Sequence, residues 1–215
     1  MGISIAFAQQ FSGLTKSAVM THMAHSWAHH AQRIDMIEFG QTAAMTKWAS
    51  MNRALHLNIR LSHEWRAVID ITNSMKHHDI TLVDLPRGNL MLMRAVMRTC
   101  DMMVIPCAPI GVDISSTLKA VQMCRQANTP VHVVITGLPA AKELVSGAIA
   151  TFRKAGVNVI RAGLGGNVTS TGGMLDSYTV LPGHKRTPAQ KQIDNLRLEL
   201  DTTLAEAAAD VYAFS

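Results

Sequence analysis

The amino-acid sequence predicts an α/β protein, a mainly parallel twisted sheet with helices on both faces. Two observations carry this. Short apolar runs alternate with stretches of helical periodicity from Ile3 onward, the pattern of parallel strands joined by helical crossovers. Most of the runs are apolar at every position rather than every second one, as strands covered on both faces require.

The candidate strands are Ile3–Ala8, Ile34–Phe39, Ile80–Leu85, Met102–Cys107, Val131–Thr136 and Asn158–Ala162. Between them, Ser17–His30 sets Val19, Met20, Met23, Trp27 and Ala28 on one stripe at steps of three and four, the spacing of a helix face. Asn89–Thr99, Val112–Ala127, Ala140–Ala155 and Pro188–Tyr212 read similarly, and the Gly-rich stretch Gly163–Gly173 reads as a mobile surface loop. No internal repeat and no Pro/Gly/Ser-rich linker divides the chain, so residues 1–215 are expected to form a single domain.

Composition narrows the class. With 48% hydrophobic and 16% charged residues the chain can bury a core. No run of 18 apolar residues exists to span a bilayer, and MGISIAFAQQ, which lacks a basic leader, reads as a buried strand. Cys100, Cys107 and Cys124 fit neither a zinc ribbon nor C-x-x-C, and are expected to be reduced core residues of a cytoplasmic protein. The net charge of +5 tilts the chain mildly towards a polyanionic partner.

Sheets of this kind bind ligands beyond the carboxyl ends of their strands. After the first strand comes Gln10-Phe11-Ser12-Gly13-Leu14-Thr15-Lys16-Ser17, then a helix. A phosphate-binding loop would read G-x-x-x-x-G-K-[ST]; here the closing Lys-Ser matches, while Gln10 and Thr15 replace the glycines. The context suits the chemistry. Backbone N–H groups at a helix start cradle phosphate oxygens, Lys16 would reach the β- and γ-phosphates, and the Ser17 hydroxyl would bind Mg²⁺. Thr15 counts against the loop, because a β-branched residue resists backbone angles that glycine permits. Asp84 ends an apolar strand, where a carboxylate can hold the magnesium water shell beside Ser17.

In this order the motifs resemble those of the ParA/MinD family of deviant P-loop ATPases. The stretch Ala8–Ala18 lies without gaps over the family's Asn-Gln-Lys-Gly-Gly-Val-Gly-Lys-Thr-Thr loop. The stretch Ile37-Glu38-Phe39-Gly40-Gln41 through Trp48 looks like a worn version of its Asp-x-Asp-Pro-Gln-Gly motif. Asp79 through Gly88 is similar to Asp-Tyr-x-x-Ile-Asp-x-Pro-Pro-Gly, and Cys100–Pro109 to Ala-Asp-x-x-Ile-Pro-x-x-Pro. The likeness runs from residue 3 to about 200, and its last two motifs are the more specific.

The resemblance implies a P-loop fold, ATP and Mg²⁺ as ligands, a homodimer, an adaptor or cargo protein as partner, and a role in plasmid partition or cargo positioning. Carried over residue by residue, nucleotide binding falls to Phe11, Ser12, Gly13, Leu14, Thr15, Lys16, Ser17 and Ala18. Metal binding falls to Ser17 and Asp84, and catalysis to Lys16 and Glu38. Phe11 stands where the family holds its signature lysine, and Gly40 replaces one of its paired acids, so weak or slow hydrolysis is expected. Ile160-Arg161-Ala162-Gly163 falls where the family holds adenine.

The late basic residues include Lys142, Arg153, Lys154, Arg161 and Arg197. Among them Lys185, Arg186 and Lys191 are candidates for contacting DNA without sequence preference. The last helix carries Ile193, Leu196, Leu200 and Leu204 on one face amid mixed charges, which fits packing on the sheet rather than a membrane surface. His25 and His29 are four apart, as metal ligands on a helix are, yet no Cys or acidic third ligand stands near them. Two alternatives stay open: a non-catalytic interaction protein that keeps the fold, and a nucleotide-independent DNA-binding accessory protein.

Overall fold

The computed structural model describes residues 2–9, 15–30, 32–39, 57–138, 141–165 and 187–213. In chain order these form β1 (Ile3–Phe7), α1 (Thr15–Ala28), β2 (Ile34–Glu38), β3 (Leu57–Leu61), a 3₁₀ turn (Glu64–Arg66) and α2 (Ala67–His77). There follow β4 (Ile80–Asp84), α3 (Leu90–Met97), β5 (Met102–Cys107), α4 (Gly111–Gln126), β6 (Val131–Leu138), α5 (Lys142–Lys154), β7 (Asn158–Gly165) and α6 (Pro188–Ala213). The described strands make one seven-stranded sheet in the order β3-β2-β4-β1-β5-β6-β7, parallel throughout.

The continuous apolar runs are explained by burial on both sides of the sheet. Alternate residues of each strand feed two cores. One core joins Ile5, Phe7, Met36, Leu82 and Val104 to Met20, Met23 and Trp27 of α1 and to Leu196 and Leu200 of α6. The other joins Ala6, Ile37, Val83, Met103 and Val133 to α2, α3, α4 and α5 through Ile71, Val96, Val121 and Phe152. The last helix therefore packs on the sheet through Ile193, Leu196, Leu200 and Leu204, as its pattern predicts. The three cysteines are free thiols and buried, and burial pushes Cys100 and Cys124 up to about 12. Among the described residues no helix is long and apolar enough to cross a membrane.

Two expectations need correction, and two elements, β3 and α2, are absent from the expected set. The strand β3 and the helix α2 do not stand out as apolar runs. Asn58 and Arg60 alternate along β3 because they reach the fully buried Asp35 of β2, at 2.7 and 3.0 Å. The strand expected to stop at Ala162 continues to Gly165, so Gly163–Gly165 belong to the sheet; residues 166–173 lie outside the described set. Finally, α1 is not amphipathic. Every residue from Lys16 to Ala28 is buried, including Thr21, His22, His25 and Ser26. Thr21 stays satisfied by donating to the Ser17 carbonyl at 2.9 Å.

Burial lowers the pKa of His25 to about 3, helped by His29 and His22 on the same helix. The folded chain thus keeps His25 neutral where the unfolded chain protonates it. Stability is expected to fall as pH drops from about 6.5 towards 3, by at most ~1.4 kcal/mol per pH unit from this group. Urea unfolding across that range, repeated on His25→Asn, checks it: the variant should show a shallower slope, and an unchanged slope would refute the assignment.

Candidate functional site

The strand ends set the site. In β4, Asp84 is the last residue, in register with Phe7 of β1 on one side and Glu38 of β2 on the other. The ladder runs on past them: the Leu85 amide donates to the Phe7 carbonyl at 3.1 Å, and the Phe39 amide to the Asp84 carbonyl at 3.3 Å. Two carboxylates from neighbouring parallel strands are thereby fixed side by side at the carboxyl edge, with Glu38 only 2% exposed.

Helix α1 brings its first turn to the same edge. Thr15 is its first residue, in ordinary helical conformation. The one described non-glycine residue with positive φ is Asn128, at 55°. The steric objection to Thr15 therefore does not apply: the chain asks for no left-handed backbone there. From that turn Lys16 reaches down to the strand ends, where its ammonium forms an ion pair with Oδ1 of Asp84 and donates to the Leu85 carbonyl. Both side chains of the pair are 9% exposed. Burial pushes the Asp84 carboxyl up, opposed by the Lys16 charge and by hydrogen bonds from Lys16 and Ser17.

One participant has no role in the sequence reading. Gln9 follows β1 and is buried, and its Oε1 accepts the Lys16 backbone N–H at 3.1 Å. A side-chain oxygen thus sits on a helix-start amide, the kind of donor that meets phosphate oxygens. The signal was a polar residue placed directly after an apolar strand, but a bond closing over seven positions has no periodicity to reveal it.

The structure brings together Lys16, Ser17, Asp84 and, one strand over, Glu38, with Thr15 and Ala18 in the same helical turn. Phe11, Ser12, Gly13, Leu14 and Gly40 lie outside the described residues, as do Lys185 and Arg186. Lys191 is exposed on α6. Arg197 does not join a free basic face, because it is paired with Asp201 one turn along.

No protein-family model matches the chain, and no curated protein does. Solved structures do. The MinD cell division protein of Aquifex aeolicus matches with a TM-score of 0.72 over 94% of this chain and 98% of that one, at 13% identity. The MinD protein of Pyrococcus horikoshii, complexed with Mg-ADP, matches at 0.71 and 12% identity over 96% and 99% of the two chains. A plasmid partition protein of Borrelia burgdorferi, bound to AMPPNP, matches at 0.70 and 12% identity over 94% and 99%. The fold is that of the MinD and ParA-type ATPases. At these identities the likeness is one of fold alone. Within the MinD/ParA fold, the turn at Lys16 and the carboxyl ends of β1, β2 and β4 form the edge where open parallel sheets take ligands.

Proposed function

We propose that this chain is a ParA-like nucleotide-dependent switch that holds ATP with Mg²⁺ at the start of α1. It would dimerise and, with an adaptor or cargo protein, position plasmid DNA or another cargo. The observation that carries the reading is the buried pairing of Lys16 with Asp84 where the first helix meets the strand ends. An ammonium, a hydroxyl and a carboxylate from two consecutive helix residues and one strand end are the donor set this ligand needs.

The residues present fit the group. Ser17 and Asp84 offer hard oxygen ligands, which Mg²⁺ prefers. When bound, Mg²⁺ neutralises charge on the β- and γ-phosphates. The chain's own part is to orient and to exchange partners. With nucleotide bound, Lys16, now paired with Asp84 and Leu85, would offer its ammonium to phosphate oxygens, the Lys16 amide now held by Gln9 would become available to them, and Ser17 with Asp84 would hold the metal. Glu38, fixed next to Asp84, is the candidate to order an attacking water. Phe11 in place of the family's lysine and Gly40 in place of an acid support slow turnover or binding without turnover. The structural neighbours that hold Mg-ADP and AMPPNP support the ligand class.

A second reading has its own observation. Lys16 is satisfied internally at both its amide and its ammonium, as suits an interaction protein that keeps the fold and needs no ligand. Titration with fluorescent ATP, in Mg²⁺ and then in EDTA, separates the two. The switch reading expects saturable binding that weakens when metal is removed and loses that metal dependence in Ser17→Ala. No binding at millimolar ATP would leave the scaffold reading.

A further inference from the structure

The described residues expose ten large apolar side chains, and six of them gather in one sector of the molecule. They are Leu61 at the end of β3, Trp65 in the 3₁₀ turn, Val68 and Ile69 in the first turn of α2, and Leu90 and Met91 in the first turn of α3. Trp65 is 75% and Met91 77% exposed. The two halves of the sector are tied together. Asn89, the N-cap of α3, donates from Nδ2 to Oε2 of Glu64 at 2.6 Å, and Trp65 and Leu90 are the next residues along from that bond. Single exposed apolar residues are ordinary, but a protein rarely leaves a group of this size bare unless something covers it.

Trp65 is fixed in place. The His63 ring stacks beside it, with planes 12° apart and centroids at 6.2 Å, and the Arg66 guanidinium carbon lies 5.4 Å from its ring centroid. A side chain already held in this way loses little freedom on association. Tryptophan and arginine are also the residues that most often carry binding energy at interfaces.

Charge decides what can cover the sector. Across residues 61–70 and 87–98 the one exposed acid is Glu64, which Asn89 already occupies; Asp70 is buried and paired with Arg60 and Arg66. Arg87 and Arg94 are exposed and make no ion pair among the described residues. Arg94 follows Met91 and Leu90 at steps of three and four, so it borders them on the surface of α3.

We propose that this sector is the docking surface for an amphipathic helical segment of a partner protein, with apolar residues at helical spacing and acidic residues at its flanks. A second copy seated on the same surface would set Arg87 and Arg94 against their own equivalents. An anionic membrane asks for a denser basic face than two unpaired arginines. The proposal gives the adaptor of the switch reading its place to bind and rests on that reading for the partner's role alone, since the surface is formed without nucleotide. Its position suits the role. The Ser62 amide donates to the Glu38 carbonyl at 3.0 Å, and α3 follows Asp84 through Leu85–Asn89, so both halves of the sector continue from strand ends of the candidate site.

The test uses the full chain without nucleotide, so its failure is separate from a failure of the ATP titration. A random-peptide phage library is selected against wild type, and the enriched peptides are synthesised as probes. They should share apolar residues at steps of three and four with an excess of Asp and Glu, and should bind less tightly as salt rises. Trp65→Ala should weaken them ~30-fold or more, the loss of an anchoring side chain, and Arg94→Glu ~5-fold or more. Both positions are exposed, so both variants should unfold at the wild-type temperature. Leu198→Ala is the control, an exposed apolar position on α6, which packs on the other face of the sheet, and it should bind as wild type does. No enriched peptide, or peptides held as tightly by Trp65→Ala and Arg94→Glu as by wild type, would overturn the proposal. So would co-sedimentation with phosphatidylglycerol vesicles, or a nucleotide-free dimer, that Trp65→Ala abolishes, since each shows a different occupant.

Discussion

Lys16→Ala is expected to lower ATP affinity by at least ~30-fold, the ~2 kcal/mol or more that truncating one member of a buried charge pair costs. The same change should cost the unliganded protein ~3–5 kcal/mol of stability, because it strands a buried carboxylate. Burial pushes the Asp84 carboxyl up, opposed by the Lys16 charge and by hydrogen bonds from Lys16 and Ser17; with Lys16 gone, burial acts against less opposition and the carboxyl shifts further up. That sets the pH dependence. The penalty should ease as pH falls, and the double variant Lys16→Ala/Asp84→Ala should regain part of the loss. Lys16→Met keeps the length and packing of the stem, so it tests binding in a chain that still folds. Isothermal titration with ATP–Mg²⁺ and urea unfolding of all three variants give the numbers. Unchanged affinity in a folded Lys16→Met protein would end the switch reading.

Trp27→Ala should produce the largest purely structural effect. Trp27 is 1% exposed in the core beneath α1, and its indole N–H donates to Oδ1 of Asp201 on α6 at 2.7 Å. Removal opens a cavity between helix and sheet and leaves that carboxylate oxygen without the indole donor. The cost of a buried Trp→Ala change is ~3–5 kcal/mol. Since Asp201 also pairs with Arg197, part of the polar loss is absorbed, so the cavity dominates. Trp27→Phe should recover more than half the difference in thermal unfolding; recovery by neither Phe nor any apolar residue would shift the weight to the hydrogen bond.

How far the sequence could be read follows from what each residue touches. Strands β1, β4 and β5 are buried on both faces and read as largely apolar runs, while β2 is equally buried but broken by Asp35 and Glu38. The edge strand β3 does not, because Asn58 and Arg60 answer a buried charge on the neighbouring strand, Asp35, and Arg60 also reaches Asp70 on α2. Such pairings join residues far apart in sequence and leave no local period. In the same way Lys16, Ser17 and Asp84 were legible from residue type and place. The Gln9 contact was not, since its partner is a backbone amide beyond the loop. The stripe read on α1 was real but incomplete: with α6 against it as well as the sheet, its polar positions are covered too.

That enclosure has a consequence for supply and demand in the cell. A rod gripped around its whole circumference cannot swing without opening the core around it, so it is poorly suited to act as a lever. What an occupant at its first turn can change is how much of the chain stays folded: at a hundred times its dissociation constant, an occupant adds ~2.7 kcal/mol to the unfolding free energy. If the proposed nucleotide does bind at that turn, abundance, through escape from proteolysis, would report on its occupancy.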